Sequence, residues 1–430
     1  MVFPALYDLV TTAFLPGIMP TSLRLLSQFF AVMRVFLFLP FSRHTLNKGE
    51  MNCMDLLGTF SGLFSNIGNL TWQMMVMWAV GGLLIYLGIC KKMEPSLLIP
   101  MGFGAILVNL PLSGAITQGD TVGPITELFH AGMSNELFPL LLFIGIGAMI
   151  DFGPLLERPW LMLFGAAAQF GVFFTFFLAG FFFDLPDAAS IAVIGAADGP
   201  TAIYVANVLH SRYLGAIMVA AYSYMALVPI VQPPIIRLCT TRKERLIRMP
   251  YRSGNVSKLT KILFPIVVTI VSGIVAPTSV ALVGFLMFGN LIRECGVLNS
   301  LSETAQNVLA NLITILLGLT VSGQMTADQF VRPDTLLILA LGLVAFIMDT
   351  AGGVLFAKLL NLFMPAGKKI NPMIGAAGIS AFPMSGRVVN QLALQEDNQN
   401  FLLMYSISVN VSGQIASVIA GGLILTLMTA

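Results

Sequence analysis

The sequence predicts an all-α polytopic membrane protein, and three observations carry that prediction. Charged residues are scarce: Lys and Arg number 22 and Asp and Glu 20 in 430 residues, 10% of the chain, where a soluble domain carries about 25%. Hydrophobic residues make up 57%, and mean hydropathy is +0.88. Uncharged runs recur at residues 56–90, 95–119, 159–183, 213–236, 262–292, 304–327 and 398–430. Each exceeds the length of about 20 residues that a helix needs to cross the hydrocarbon core. This composition excludes a soluble enzyme. The cysteines Cys53, Cys90, Cys239 and Cys295 share no ligand spacing, so neither a disulfide framework nor a zinc site is expected.

Residues 1–50 differ from the rest of the chain. They carry Arg24, Arg34, Arg43 and Lys48, break at Pro16, Pro20 and Pro40, and precede Met51 and Met54. They match neither a finished span nor a signal peptide, which places its charge ahead of a short apolar core. Lys48-Gly49-Glu50 is encodable by purine-rich codons like those of a bacterial ribosome-binding sequence. The expectation is an atypical, dispensable extension, with translation starting at Met51 or Met54. A first membrane repeat is then expected over 51–236, a basic loop over 237–261 and a second repeat over 262–430.

The loop holds Arg237, Arg242, Lys243, Arg245, Arg248, Arg252, Lys258 and Lys261 against Glu244 alone, a charge of +7 within a chain of net charge +2. Short basic loops stay on the cytoplasmic side. A topology signal explains the loop better than a nucleic-acid patch, and a docking role for a cytoplasmic partner stands beside it. No nucleic-acid partner is expected.

Ile194-Gly195-Ala196-Ala197 recurs as Ile374-Gly375-Ala376-Ala377, 180 positions later, and Arg158-Pro159 is echoed 174 positions later by Arg332-Pro333. Two matches in one order at nearly one offset indicate a duplication. With an odd number of spans per half, the halves insert with opposite orientation and place a site at the midplane. Both copies open into sequence unsuited to a continuous helix: Asp198-Gly199-Pro200-Thr201 and Gly378-Ile379-Ser380-Ala381-Phe382-Pro383-Met384-Ser385-Gly386-Arg387. Proline removes a backbone donor and glycine loosens the turn. Breaks at membrane depth are tolerated only where the freed groups are buried in protein or line a wet cavity.

Asp198 lies in the first break, and an ionised carboxylate at the bilayer centre costs at least about 2.5 kcal/mol. Tyr224, Asn371, Ser380 and Asn410 offer oxygens to share a site with it. One carboxylate with neutral hard oxygens suits Na⁺ or H⁺ more than a divalent ion. Taken singly, Asn371 reads as an N-cap before Pro372 and Tyr224 as an interfacial aromatic. Arg387 is placed to pair with Asp198 or to receive a carboxylate. Asp151 suits a helix cap or an interface at least as well as a site. Asp349 is flanked on both sides by uncharged residues. The Phe-rich stretch from 173 to 183 reads as lipid-facing helix.

The stretches Asp151-Phe152-Gly153-Pro154-Leu155-Leu156, Gly195-Ala196-Ala197-Asp198-Gly199-Pro200-Thr201-Ala202-Ile203-Tyr204, Ala221-Tyr222-Ser223-Tyr224-Met225-Ala226-Leu227-Val228-Pro229 and Asn371-Pro372-Met373-Ile374-Gly375-Ala376-Ala377-Gly378-Ile379-Ser380-Ala381 resemble the β subunit of the biotin-dependent sodium-pumping decarboxylases. That family serves oxaloacetate, methylmalonyl-CoA, glutaconyl-CoA and malonate decarboxylases. The resemblance runs from Met51 to the end, and residues before Met51 have no counterpart in it. It implies two inverted five-helix repeats forming a scaffold and a mobile core. It further implies that this subunit decarboxylates carboxybiotin with consumption of a proton and uses the released free energy to export Na⁺ across a bacterial cytoplasmic membrane.

By the same resemblance, Asp198 is the acidic Na⁺-binding position and Tyr224 the tyrosine of proton delivery. Asn371, Gly375, Ser380 and Arg387 take the family's site positions, and Asn410 is a further Na⁺ ligand. Asp349 is not assigned a role. The implied partners are a carboxyltransferase α subunit, a biotin carrier, a small γ/δ membrane subunit and further copies of this chain. The chain carries no Met-Lys-Met biotin attachment sequence and no GxxxxGK[ST] phosphate loop, so carboxybiotin has to arrive on a partner. A cation/proton antiporter or a Na⁺-coupled carboxylate carrier is the alternative, because broken inverted repeats around one Asp serve those equally well. A cysteine introduced at Ser257 is expected to resist membrane-impermeant thiol reagents in intact cells; rapid labelling from outside would reverse the orientation.

Overall fold

The computed structural model describes residues 65–92, 94–250, 254, 256–365 and 368–429. The expectations for residues 1–50, Met51, Cys53 and Met54 lie outside them. The described residues form helices and turns, with one isolated bridge, Gln118 to Thr121, as their only extended pairing. Seven helical segments are long and apolar enough to cross a membrane. An eighth arises if the pair Pro124–Gly132 and Leu137–Met149, bent by 66°, is one span. The all-α polytopic prediction is borne out.

The principal helices are α1 (Trp72–Cys90), α2 (Pro95–Val108), α3 (Pro124–Gly132), α4 (Leu137–Met149), α5 (Met162–Ala168), α6 (Phe170–Ala179), α7 (Leu185–Ala192) and α8 (Gly199–Val208). They continue with α9 (Leu214–Cys239), α10 (Lys258–Val275), α11 (Val280–Glu294), α12 (Ala310–Ser322), α13 (Pro333–Phe363), α14 (Met384–Glu396) and α15 (Leu403–Thr429). The run 262–292 is therefore two helices. Ala276, ahead of Pro277, leaves helical dihedrals at φ −140° and ψ 73°, as a residue before proline tends to do, and the chain reverses there. The run 95–119 is helical only to Val108. Phe173, Phe177, Phe181 and Phe182 are exposed, the apolar exterior that lipid solvates.

α13 organises the interior. Its 31 residues span about 46 Å at 1.5 Å each, and one face touches both IGAA segments, which are 3₁₀ turns at Val193–Ala196 and Pro372–Gly378. Gly353 of α13 and Gly375 meet backbone to backbone: a Cβ on Gly375 would stand 2.0 Å from the Gly353 carbonyl oxygen. A Cβ on Gly413 of α15 would stand as close to the Gly378 carbonyl oxygen, at 2.1 Å. Small residues at such crossings allow the close packing that drives helix association in lipid.

Each broken segment is a hairpin whose ends are held together. At the first, Arg212 joins Asp184 at 2.6 Å and Asp187 at 2.9 Å, and the Ser211 hydroxyl donates to Asp187. At the second, the basic segment after α9 folds down onto the chain between α14 and α15. Arg245 pairs with Glu396 at 2.7 Å and Arg248 with Asp397 at 2.6 Å, and Arg237 reaches Gln395. The amide of Asn371 donates to the carbonyls of Arg245 and Ile247, and that of Asn400 to Arg245 as well. A capping box of Thr241 and Glu244 starts the short helix Arg242–Arg245, and Lys358 of α13 pairs with Glu244. The basic segment is thus a strap latched to the hairpin beneath it.

The Arg248 hydrogen bond holds the Asp397 carboxyl below the usual carboxylate range. A carboxyl lowered by folding adds stability above its unfolded value of about 3.9 and loses it as pH falls through the folded value. Hydrogen exchange in residues 242–250 is therefore expected to lose protection below about pH 4, and at neutral pH in Asp397→Asn. Protection that survives both changes would show that the latch does not depend on this pair.

Candidate ion-binding site

The first IGAA turn ends at Ala197, whose φ of 51° and ψ of 42° place a non-glycine residue in the left-handed region, a conformation that costs roughly 1–2 kcal/mol. Asp198 follows as the N-cap of α8, where the positive end of the helix dipole favours a carboxylate. It is 3% exposed, and its partners are neutral. Oδ2 accepts from Thr201 Oγ1 at 2.7 Å, Ser417 Oγ at 2.8 Å and Gln414 Nε2 at 3.3 Å. The second break lies directly against the first. Ser380 donates its amide and its hydroxyl to the Ala196 carbonyl, at 3.0 and 2.9 Å, two residues before Asp198.

α15 closes the site. Asn410, Gln414 and Ser417 stand at i, i+4 and i+7, one face of a helix. Asn410 donates to the Ile379 carbonyl at 2.7 Å, while its side-chain oxygen is buried without a hydrogen-bond partner. From α9, Gln232 donates to the Ala376 carbonyl at 2.7 Å and to Ser385 at 2.8 Å, pinning the second hairpin. Thr201, Gln414, Ser417, Gln232 and Ser385 were missed in the sequence. The signal was present in the final run, where three polar side chains recur at helical spacing without a charge to draw attention to them.

The structure therefore brings Asp198, Ser380 and Asn410 together and gives other work to several predicted residues. Asn371 caps the second 3₁₀ turn, accepting from the Met373 amide at 3.1 Å, and spends its amide on the strap. Gly375 serves the backbone contact with α13. Tyr224 donates its hydroxyl to the Leu339 carbonyl of α13. Arg387 is exposed in the first turn of α14 and does not pair with Asp198. It lies in electrostatic range of Glu94, whose carboxyl is pushed up by burial and drawn back by that positive charge. Asp151 is exposed, accepts from the Gly153 amide at 2.8 Å and meets Lys261 at 3.3 Å.

Asp349 has a legible structural task. The span 159–179 breaks at Gln169, which leaves the first amides of α6 without carbonyls four residues back. Asp349 Oδ1 takes the Val172 amide at 3.1 Å. Its Oδ2 has no hydrogen-bond partner and lies 2.8 Å from where a Cβ on Gly195 would stand. Asp349 thereby caps the α6 break with one oxygen while the other packs against the first IGAA turn without a hydrogen bond.

Fold and site together define a polytopic helical membrane protein in which the buried Asp198 carboxylate is surrounded by neutral polar groups, a donor set of the kind that suits a monovalent cation. The family model described as "Na+-transporting oxaloacetate decarboxylase beta subunit" matches residues 73–428, and the chain belongs to that family. It is 44% identical over 409 residues to the oxaloacetate decarboxylase beta chain of Klebsiella pneumoniae, covering 81% of this chain and 94% of that one. It is 46% identical over 375 residues to the methylmalonyl-CoA decarboxylase subunit beta of Propionigenium modestum, covering 82% and 94%. It is also 46% identical over 359 residues to the glutaconyl-CoA decarboxylase subunit beta of Acidaminococcus fermentans, covering 83% and 94%.

Removing one donor from a buried acceptor costs about 1–3 kcal/mol. Ser417→Ala is expected to lower thermal stability of the purified protein by an amount in that range. Wild-type stability would mean that the Asp198 site is not organised by α15.

Proposed function

We propose that this chain is the membrane subunit that couples decarboxylation of carboxybiotin to Na⁺ export, with Asp198 as the acidic ligand of the transported ion. The observation that carries the reading is the direct hydrogen bonding of one helix break to the other beside the buried Asp198 carboxylate. Ser380, Asn410, Thr201 and Ser417 bring oxygens to the neighbourhood of Asp198, and Gln414 donates its amide to it. Gly375 lets the second 3₁₀ turn pack into α13, and Tyr224 and Asn371 hold α13 and the strap in place. These are neutral groups, so one bound Na⁺ balances the Asp198 carboxylate.

Carboxybiotin is a substrate here, carried by a partner. Its loss of CO₂ releases free energy and takes up a proton. Arg387, exposed in the first turn of α14, is the cation we assign to receive the carboxylated ureido group through its planar fork. Family membership supports the pump over the antiporter or carboxylate carrier, which share the broken-helix architecture but need no decarboxylase partner. We assign to the complex a carboxyltransferase α subunit, a biotin carrier, a small γ/δ membrane subunit and further copies of this chain. The bacterial cytoplasmic membrane is the proposed location, with the strap inside the cell. Two halves of opposite orientation, over 51–236 and 262–430 and joined by the basic segment, account for the paired IGAA turns and for a scaffold that carries a mobile core.

Asp198→Asn keeps the shape of the side chain and removes the charge that balances Na⁺. In the assembled complex it is expected to abolish Na⁺ uptake into inverted vesicles and Na⁺-dependent CO₂ release, while carboxyl transfer from substrate to biotin continues. Na⁺ pumping at the wild-type rate would end the assignment.

A further inference from the structure

We propose that the hydroxyl of Tyr222 is an oxygen ligand of the Asp198 ion site, and that Tyr222, two positions before Tyr224, is the tyrosine that faces the ion. The inference rests on the reading of Asp198 as the ion's acidic ligand and extends it to a residue that neither the resemblance nor the family assigns.

Three observations place the phenol. Tyr222 is 1% exposed, among the largest fully buried side chains of the protein. Its ring lies flat on the residue after Asp198: a Cβ on Gly199 would stand 2.4 Å from Tyr222 Cε1 and 2.5 Å from Cζ, the carbon that bears the hydroxyl. The hydroxyl is buried without a hydrogen-bond partner. A buried phenol normally finds a partner. An orphaned one whose ring packs on the residue after the site's carboxylate is a free lone-pair donor of the hard type that Na⁺ takes. Glycine at position 199 follows from the same contact, since a side chain there would displace the ring.

Tyr224 is turned away. Two residues along a helix rotate a side chain by about 200°, and the Tyr224 hydroxyl is already spent on the Leu339 carbonyl. Its ring packs on Gly342 beside Ile194. Tyr222 thus completes a ligand shell with Asp198, Thr201, Ser380 and Ser417, whereas Tyr224 fastens α9 to α13.

The test compares Tyr222→Phe, Tyr224→Phe and Asp198→Asn in the full chain assembled with its partner subunits, by binding of radiolabelled Na⁺ and by the Na⁺ dependence of decarboxylation. Tyr222→Phe keeps the ring and removes the ligand. It is expected to raise the half-saturating Na⁺ concentration by about tenfold or more, roughly 1.4 kcal/mol. Tyr224→Phe is expected to lower thermal stability and to move Na⁺ affinity by no more than about twofold, roughly 0.4 kcal/mol. Wild-type Na⁺ binding in Tyr222→Phe alongside lost binding in Asp198→Asn overturns the Tyr222 assignment and leaves the site reading intact. Wild-type binding in both overturns the site reading itself. If Tyr222→Phe does not assemble, the tyrosine ultraviolet difference spectrum on adding Na⁺ decides. A signal retained in Tyr224→Phe supports Tyr222, and a signal lost there overturns it.

Discussion

One buried carboxylate sets the terms for the rest of the structure. Asp198 is nearly inaccessible to solvent within a protein whose surroundings are hydrocarbon, so its charge has to be met by the protein or by a cargo ion. The three side chains that donate to it are neutral, and they come from α8 and α15, which lie far apart in the sequence. A fixed cation at this place would neutralise the carboxylate permanently, and under the proposed function would leave nothing for Na⁺ to do. Neutral donors stabilise it enough to persist in an apolar interior and yield to an arriving cation.

The backbone follows the same logic. Each break frees amides and carbonyls that lipid cannot solvate, and the described residues show where they go. The Ala196 carbonyl takes Ser380 twice, the Ile379 carbonyl takes Asn410, the Ala376 carbonyl takes Gln232, and the Val172 amide takes Asp349. Scattered polar residues in otherwise apolar spans are thus mostly answers to broken helices, and a few of them, left with an unused oxygen, are available to an ion.

The helical class and the positions of both breaks were legible in the sequence because they rest on local chemistry: uncharged runs, and Gly and Pro clustered after each IGAA. Asp198, Ser380 and Asn410 were legible as lone polar groups at or facing those breaks. Thr201, Gln414 and Ser417 were not, because hydroxyls and amides are ordinary in membrane helices and only the fold brings them to one carboxylate. Asn371 shows the reverse. Its local reading as a cap before Pro372 describes what its side chain does, together with a strap that sequence could not place. The two tyrosines at 222 and 224 are indistinguishable by composition. Which one meets Asp198 depends on the rotation of α9, a quantity fixed only by packing against α8 and α13.

The double hydrogen bond from Ser380 to the Ala196 carbonyl has a mechanical consequence. It stitches the tip of one hairpin to the tip of the other, while Gly375 and Gly378 lock the second hairpin into α13 and α15 at backbone contact. Neither tip can swing open without breaking the bonds that define the other. Under the proposed reading an ion between them would be freight in a sealed carriage, because the two tips move as one body.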